Sequence, residues 1–407
     1  MFPHIDILRL LRANPMPLSD LQHETQVSLP TLRKAVQELT EARWIRIVGQ
    51  ADANSGRPPK IFGLDSSYFL IVGVHLQLPG MHLVTMDLSG RVLDEQRVIQ
   101  EAVTDPNDVF QVVVNYVQLV RAKFTQRAIV GIGIAAPGFI DPLSGDILLI
   151  GRVPSWQGIP ICTRLRAQLE LPVHVGNDVD CMAFAEFHWS GIALDQNLIY
   201  VGFDEGVKAS LFLNGELYKG ALGNAGLIAS HLLQVEGEAS VADTTAALSI
   251  HGVNAIFSRR LTELPSDERA AYEVIAAIED PRQRFSRILQ CDGEAFPVCR
   301  DVLKLVIEVV AAAVANLVFV MQPNTCVLGG MLGFLPPEGF ADLERKLRAH
   351  LPPIINHKVA IQLGQVAAAN SAAVGAAHFF LEHYLTGQDD VLTASQTPHE
   401  PAMNLRE

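Results

Sequence analysis

The chain changes character at Tyr68, and the pattern that follows limits what it can fold into. From there to about residue 385, β-prone apolar runs alternate with helical stretches. The runs are YFLIVGVHL, MHLVTMDLSGRVLDE, AIVGIGIAAPG, PVHVGND, NLIYVGF, KASLFLNGELYKG and NTCVLGG, with a last strand over 359–363. Helical spacing predicts helices over 109–124, 163–169, 179–189 and 371–385, and a mostly helical stretch over 241–315. Strand groups alternating with helices predict an α/β protein of two lobes with a cleft between them.

Before Tyr68 the pattern is different. Ile5, Leu8 and Leu11 repeat at helical spacing, and Asn14-Pro15 stops that helix. A second short helix is expected from Ser19, as N-cap, towards Thr25. A third follows Ser28, with Pro30 in its first turn, where a missing amide costs nothing. It continues through Leu32, Val36 and Leu39 to about Ala42. Two β-prone runs, 44–48 and 60–64, then flank a polar tip rich in Gly, Pro and Asn, which reads as a hairpin.

Three short helices and a hairpin make a winged helix-turn-helix. The third helix of such a module fits the major groove, and the hairpin tip reaches the backbone or minor groove beside it. Ser28, Thr31, Arg33 and Lys34 fall on the early turns of the third helix. Arg57, within GRP at the tip, has the extended context of a minor-groove arginine. The competing reading makes Arg33 and Lys34 a solvated face of a protein-interaction module. Basic residues on both reading elements, in this order of elements, favour double-stranded DNA.

Charge supports the division. Residues 1–65 hold eight Lys/Arg against seven Asp/Glu, a net +1, within a chain of net charge −13. The rest of the chain is therefore acidic and is no general nucleic-acid coat, which needs a basic surface. Apolar residues at 49% and charged residues at 18% exclude wholesale disorder. Five scattered cysteines without a CxxC pair suit a reducing compartment. No signal peptide is seen, and the apolar run near 305–321, broken by Glu308 and Asn316, reads as a core helix and not a membrane span. A cytoplasmic protein is expected.

These residues resemble the ROK family of repressors and sugar kinases, in particular its sugar-responsive repressors. The likeness runs over about 1–385. It rests on SGRPPKIFGLD at the end of the winged helix, VGIGIAAPGFIDPLSGDIL, VPSWQGIPI and LPVHVGNDVDCMAFAE in the first lobe, and LFLNGELYKGALGNAG, PNTCVLGG and SAAVGAAHFF in the second. The resemblance implies an actin-like, RNase-H-like fold of two lobes that binds a sugar in the cleft and, in kinase members, ATP.

The departures from the family pattern carry the functional reading. Phosphoryl transfer needs glycine turns that let amides approach phosphate, and a base for the sugar hydroxyl. Where the family's first phosphate loop has DxGGT, this chain has His75-Leu76-Gln77-Leu78-Pro79, without the acid or the glycines, and with a proline that has no amide to donate. Where the second has GxGxG, it has Gly206-Val207-Lys208-Ala209-Ser210. Lys208 reads as a solvated lysine, or as a point charge near phosphate. Gly329-Gly330 fits either a nucleotide-side turn or an ordinary strand-to-helix turn.

Asn177-Asp178 matches the family's sugar-contacting Asn and catalytic-base Asp. Standing alone, either residue is equally well a helix N-cap. The resemblance implies ligand contact, with Asp178 as a hydroxyl acceptor and not a base. The family's AGExGH becomes Ala225-Gly226-Leu227-Ile228-Ala229-Ser230-His231, so the sugar-binding Glu is Leu227 and the His is shifted by one place to His231. Gly138 permits close backbone approach at the cleft wall, while Trp156 reads first as a packed aromatic and second as a sugar-stacking ring. The zinc loop of the family is missing its cysteines, so no metal is expected, and no cofactor.

The expected organisation is a winged helix over 1–65, a two-lobed ROK domain over 66–385 for ligand sensing and dimerisation, and a disordered tail over 386–407. The expected function is a DNA-binding transcriptional repressor of sugar-metabolism genes, a homodimer with a sugar effector and no catalysis. The alternatives are an ATP-dependent sugar kinase with an appended DNA-binding arm, and a regulator that has lost sugar sensing.

Overall fold

The computed structural model describes residues 3–51, 58–78, 80–98, 105–150, 153–190, 196–204, 206–228, 247–366 and 368–386. Arg57, His231 and the tail beyond Thr386 lie outside them. The chain forms two compact units. One joins Met1–Gly176 to Ala376–Glu407, and the other is Asn177–Gly375.

The first unit opens with helix α1 (Pro3–Ala13), strand β1 (Met16–Pro17), α2 (Leu18–Thr25), α3 (Leu29–Glu41) and strands β2 (Ile45–Gln50) and β3 (Lys60–Leu64). β1, β3 and β2 form a three-stranded sheet, so the expected hairpin gains a third strand. Helix α2 begins one residue before the expected Ser19. Pro17 precedes it without a side-chain cap, and Ser19 instead donates to Asp20 at 2.9 Å. Ser28 does cap α3, accepting from the Thr31 amide at 3.4 Å. At the other end Arg43 takes a left-handed conformation, φ 63°, and the Arg43 and Trp44 amides bond back to Thr40 and Leu39. This closes the helix's free carbonyls and turns Trp44 into the core.

Next come β4 (Phe69–Leu76), β5 (Met81–Asp87), β6 (Val92–Val98), α4 (Pro106–Lys123), β7 (Ala128–Ala136), β8 (Phe139–Ile140), β9 (Ile147–Leu149), α5 (Ile161–Leu169) and β10 (Val173–Asn177). The main sheet runs β10-β7-β4-β5-β6. One face, with Leu70, Val72, Ile132 and Ile134, packs with Val113 and Val117 of α4 and Leu165 of α5. Trp156 is fully buried in that cluster, as a packing aromatic. Each such side chain withdrawn from water contributes about 1.5–3 kcal/mol.

The second unit starts with α6 (Asp178–Ser190), β11 (Leu198–Phe203), β12 (Val207–Leu213) and β13 (Glu216–Leu217). Then follow α7 (Ile250–Thr262), the short α8 (Ser266–Ala270) and α9 (Glu273–Ala276), α10 (Pro281–Leu289), α11 (Pro297–Met321), β14 (Thr325–Gly330), α12 (Pro337–His350), the short α13 (Pro353–Asn356) and β15 (Ala360–Leu363). Its sheet order is β13-β12-β11-β14-β15. Each unit therefore repeats one plan: an antiparallel run of three strands, then two more added beside the first. α11 is long and apolar enough to cross a bilayer. Its Val302, Val306, Val310 and Val314 are buried in the unit's core, so it is a core helix.

The last helix, α14 (Ala368–Thr386), begins in the second unit and ends in the first. Its approach explains glycines that sequence alone leaves unexplained. A Cβ on Gly133 would lie 1.8 Å from the Ala376 carbonyl oxygen, and one on Gly131 would lie 2.2 Å from Phe380. In the second unit a Cβ on Gly375 would lie 1.8 Å from the Cys181 carbonyl oxygen of α6. Only glycine admits backbone this close.

Candidate functional site

Strand β10 ends at Asn177 and α6 begins at Asp178 with no residue between them. The first-turn amides of a helix have no partner inside it. Here the Val179 amide donates to Asn177 Oδ1 at 3.0 Å and to Asp178 Oδ1 at 2.8 Å. Both side chains thus do the capping work that the sequence allowed. Both are buried, at 7% exposure, which a capping role on a surface helix does not require.

Burial pushes the Asp178 pKa up to about 7, and Asp204 adds to the rise. The Val179 amide and Lys208 oppose it. A carboxyl that titrates near neutrality can donate or accept a hydrogen bond as it gains or loses its proton.

The surroundings of Asp178 within the second unit hold charges that the sequence did not reveal. Lys208 is buried and ion-paired with Asp180, and Ser210 donates to Asp180 at 2.5 Å. The solvated reading of Lys208 is therefore corrected: its ammonium is an internal counter-charge. In the strand register Lys208 stands opposite Gly202. The same glycine receives Val179, whose Cγ1 would lie 2.6 Å from a Cβ there. Asp204 is held by Arg282 Nε at 2.9 Å, and burial lowers the Lys219 pKa against the pull of Asp180. The sequence signal for this network was a lysine and a serine two places apart in the strand VKASLFL.

Gly329 and Gly330 have a packing explanation. A Cβ on Gly329 would lie 2.1 Å from the Tyr200 hydroxyl oxygen, which accepts from the Gly330 amide at 3.2 Å. Gly226 lies against β12, where a Cβ would meet the Ala209 carbonyl at 1.8 Å. Leu227, at the family's Glu position, is 38% exposed. His75 is buried, paired across the strands with His82. Gly138 belongs to the first unit, with φ 87°, and a Cβ there would meet the Leu149 carbonyl at 2.2 Å. The β8–β9 hairpin thus requires this glycine, whatever binds nearby.

Four of the five DNA-reading candidates gather on one element. Ser28, Thr31, Arg33 and Lys34 are all exposed at the start of α3, while Leu32, Ala35, Val36 and Leu39 bury its opposite face. The Ser28 and Thr31 hydroxyls share a hydrogen bond of 2.8 Å, and Lys34 faces Glu38 at 3.8 Å.

Two α/β units of the same strand order, the first opening with three helices and a three-stranded sheet, make up an actin-like fold. Residues 72–383 match the ROK family, and the chain belongs to it. It is 23% identical over 310 residues to the xylose repressor of Caldicellulosiruptor bescii, spanning 75% of this chain and 76% of that one. It is 23% identical over 322 residues to the DNA-binding transcriptional dual regulator NagC of Escherichia coli, spanning 77% of each. Among solved structures, a ROK family transcriptional regulator homologous to the Escherichia coli MLC protein superposes with a TM-score of 0.76 at 19% identity, over 96% of this chain and 99% of its own. A ROK family glucokinase from Streptomyces griseus, in complex with glucose and AMPPNP, superposes with a TM-score of 0.61 at 17% identity, over 76% of this chain and 98% of its own.

Proposed function

We propose that the chain is a sugar-responsive DNA-binding repressor of transcription that works without catalysis. One observation carries this reading: the winged helix exposes Ser28, Thr31, Arg33 and Lys34 on its third helix, on a chain whose relatives include a xylose repressor and NagC. The regulator fold extends over 96% of the chain where the glucokinase fold extends over 76%.

In this reading the winged helix over 1–65 reads an operator in double-stranded DNA, with Arg57 at the wing tip. Residues 66–385 sense the effector and form a homodimer, whose two-fold axis suits a pseudo-palindromic site. Asn177 and Asp178 contact a neutral sugar or sugar derivative, with Gly138 and His231 as further contacts. Such a protein acts in the cytoplasm. A kinase is the second reading, favoured by the Asp178 carboxyl at the helix start. Against it stand His75, Gln77 and Pro79 in the first loop, and a Lys208 already engaged by Asp180.

The test has two arms. Fluorescence anisotropy at low salt, with duplexes from a randomised pool, should yield a preferred sequence; no preference removes the regulator reading. ATP turnover on hexoses that disappears in Asp178→Asn would establish the kinase.

A further inference from the structure

The head of the first unit is clasped to the last helix by charge. Glu382 of α14 accepts from Arg9 Nη2 at 2.8 Å and from Arg12 Nη1 at 2.9 Å, both on α1. Arg12 Nη2 also lies 3.2 Å from His378 Nδ1. An arginine only donates, so that nitrogen accepts and His378 carries its proton on Nε2. Arg12 is 12% exposed and Glu382 29%, so this is no surface pair held in open water. One carboxylate answering two guanidiniums in a partly dry setting is the geometry in which ion pairs fix orientation. Beside it Trp44, the residue that ends the turn after α3, packs between Phe69 at 4.4 Å and Tyr384 at 6.0 Å between ring centroids.

The other end of α1 reaches the reading helix. His4 Nε2 lies 2.8 Å from Glu38 Oε2 on α3, and the other oxygen of Glu38 faces Lys34. Contacts therefore run without a break from Glu382 through α1 to a side chain on the DNA-facing surface.

Resting on the DNA-reading assignment above, we propose that Glu382 is a positioning residue for α3, acting through Arg9 and Arg12 of α1.

The test uses the full-length protein with Glu382→Gln, Arg12→Met and the milder Arg9→Ala. Hydrogen exchange reads the clasp whether or not DNA binds. Exchange in α1 and α3 should rise at least tenfold in Glu382→Gln, with exchange in β11 and β14 unchanged. Operator affinity should fall about tenfold in Glu382→Gln and Arg12→Met, less in Arg9→Ala, and Glu382→Asp should restore part of it. Unchanged exchange in the head of both Glu382→Gln and Arg12→Met overturns the proposal, as does unchanged operator affinity beside faster exchange. A parent protein that selects no duplex instead removes the DNA-reading assignment, and the exchange result then stands as a measure of docking alone.

Discussion

Lys208 and Asp180 form an ion pair inside the second unit, each side chain 7% exposed, with the Ser210 hydroxyl on the same carboxylate oxygen. Removing one charge leaves the other buried without compensation, which costs about 3–5 kcal/mol. Lys208→Met should therefore lower the free energy of unfolding by that amount. Lys208→Met with Asp180→Asn removes both charges and keeps an acceptor for Ser210, so it should recover most of the loss. Urea unfolding of the two variants checks this, and equal losses would contradict it.

The Asp178 carboxyl gives a stability that depends on pH. Its folded pKa is about 7 against an ordinary 3.8. Between those values the folded chain holds a proton that the unfolded chain has released, so stability from this group falls as pH rises from about 4 to about 7 and is flat on either side. The full effect is at most roughly 4 kcal/mol. Asp178→Asn should remove that slope while retaining the amide acceptor for Val179. Unfolding curves at pH 5 and pH 8, for parent and variant, measure the difference.

Operator binding should carry the signature of phosphate contacts. If Arg33 and Lys34 each neutralise a phosphate, Arg33→Ala and Lys34→Ala should each flatten the slope of log affinity against log salt by about 1. A residue that reads a base edge would instead change sequence preference at one position. Anisotropy titrations at several salt concentrations separate the two.

Gly133 tests the seat of the last helix. A methyl there would lie 1.8 Å from the Ala376 carbonyl oxygen, so Gly133→Ala should cost about 1–3 kcal/mol or more. Gly333→Ala, where a Cβ meets nothing within 4 Å, should change stability by less than about 1 kcal/mol. Thermal unfolding of the pair checks the contrast.

The sequence showed the order of elements well because each rests on local chemistry. The Ser28 cap, the Asn14-Pro15 stop and the alternation of strands and helices are written within a few residues. Helix α2 starts one residue before Ser19, with the extended Pro17 ahead of it and no side-chain cap there. The burial of Lys208 is not legible locally because its partner, Asp180, lies 28 residues away on α6. Gly131, Gly133 and Gly375 carry no local signal for the helix backbone packed on them. Asp178 was legible as a residue, but its raised pKa depends on Asp204 and on burial, both tertiary facts.

The first unit is discontinuous in the chain, and its floor is laid by the last helix. During synthesis, the head and the first sheet leave the ribosome early yet wait for Ala376, Phe380 and Tyr384 to cover them, some two hundred residues later. Translation that stops short of α14 would release a chain with Gly131, Gly133 and Trp44 uncovered, a target for chaperones and proteases. Completion of the polypeptide is thereby a condition for a finished first unit.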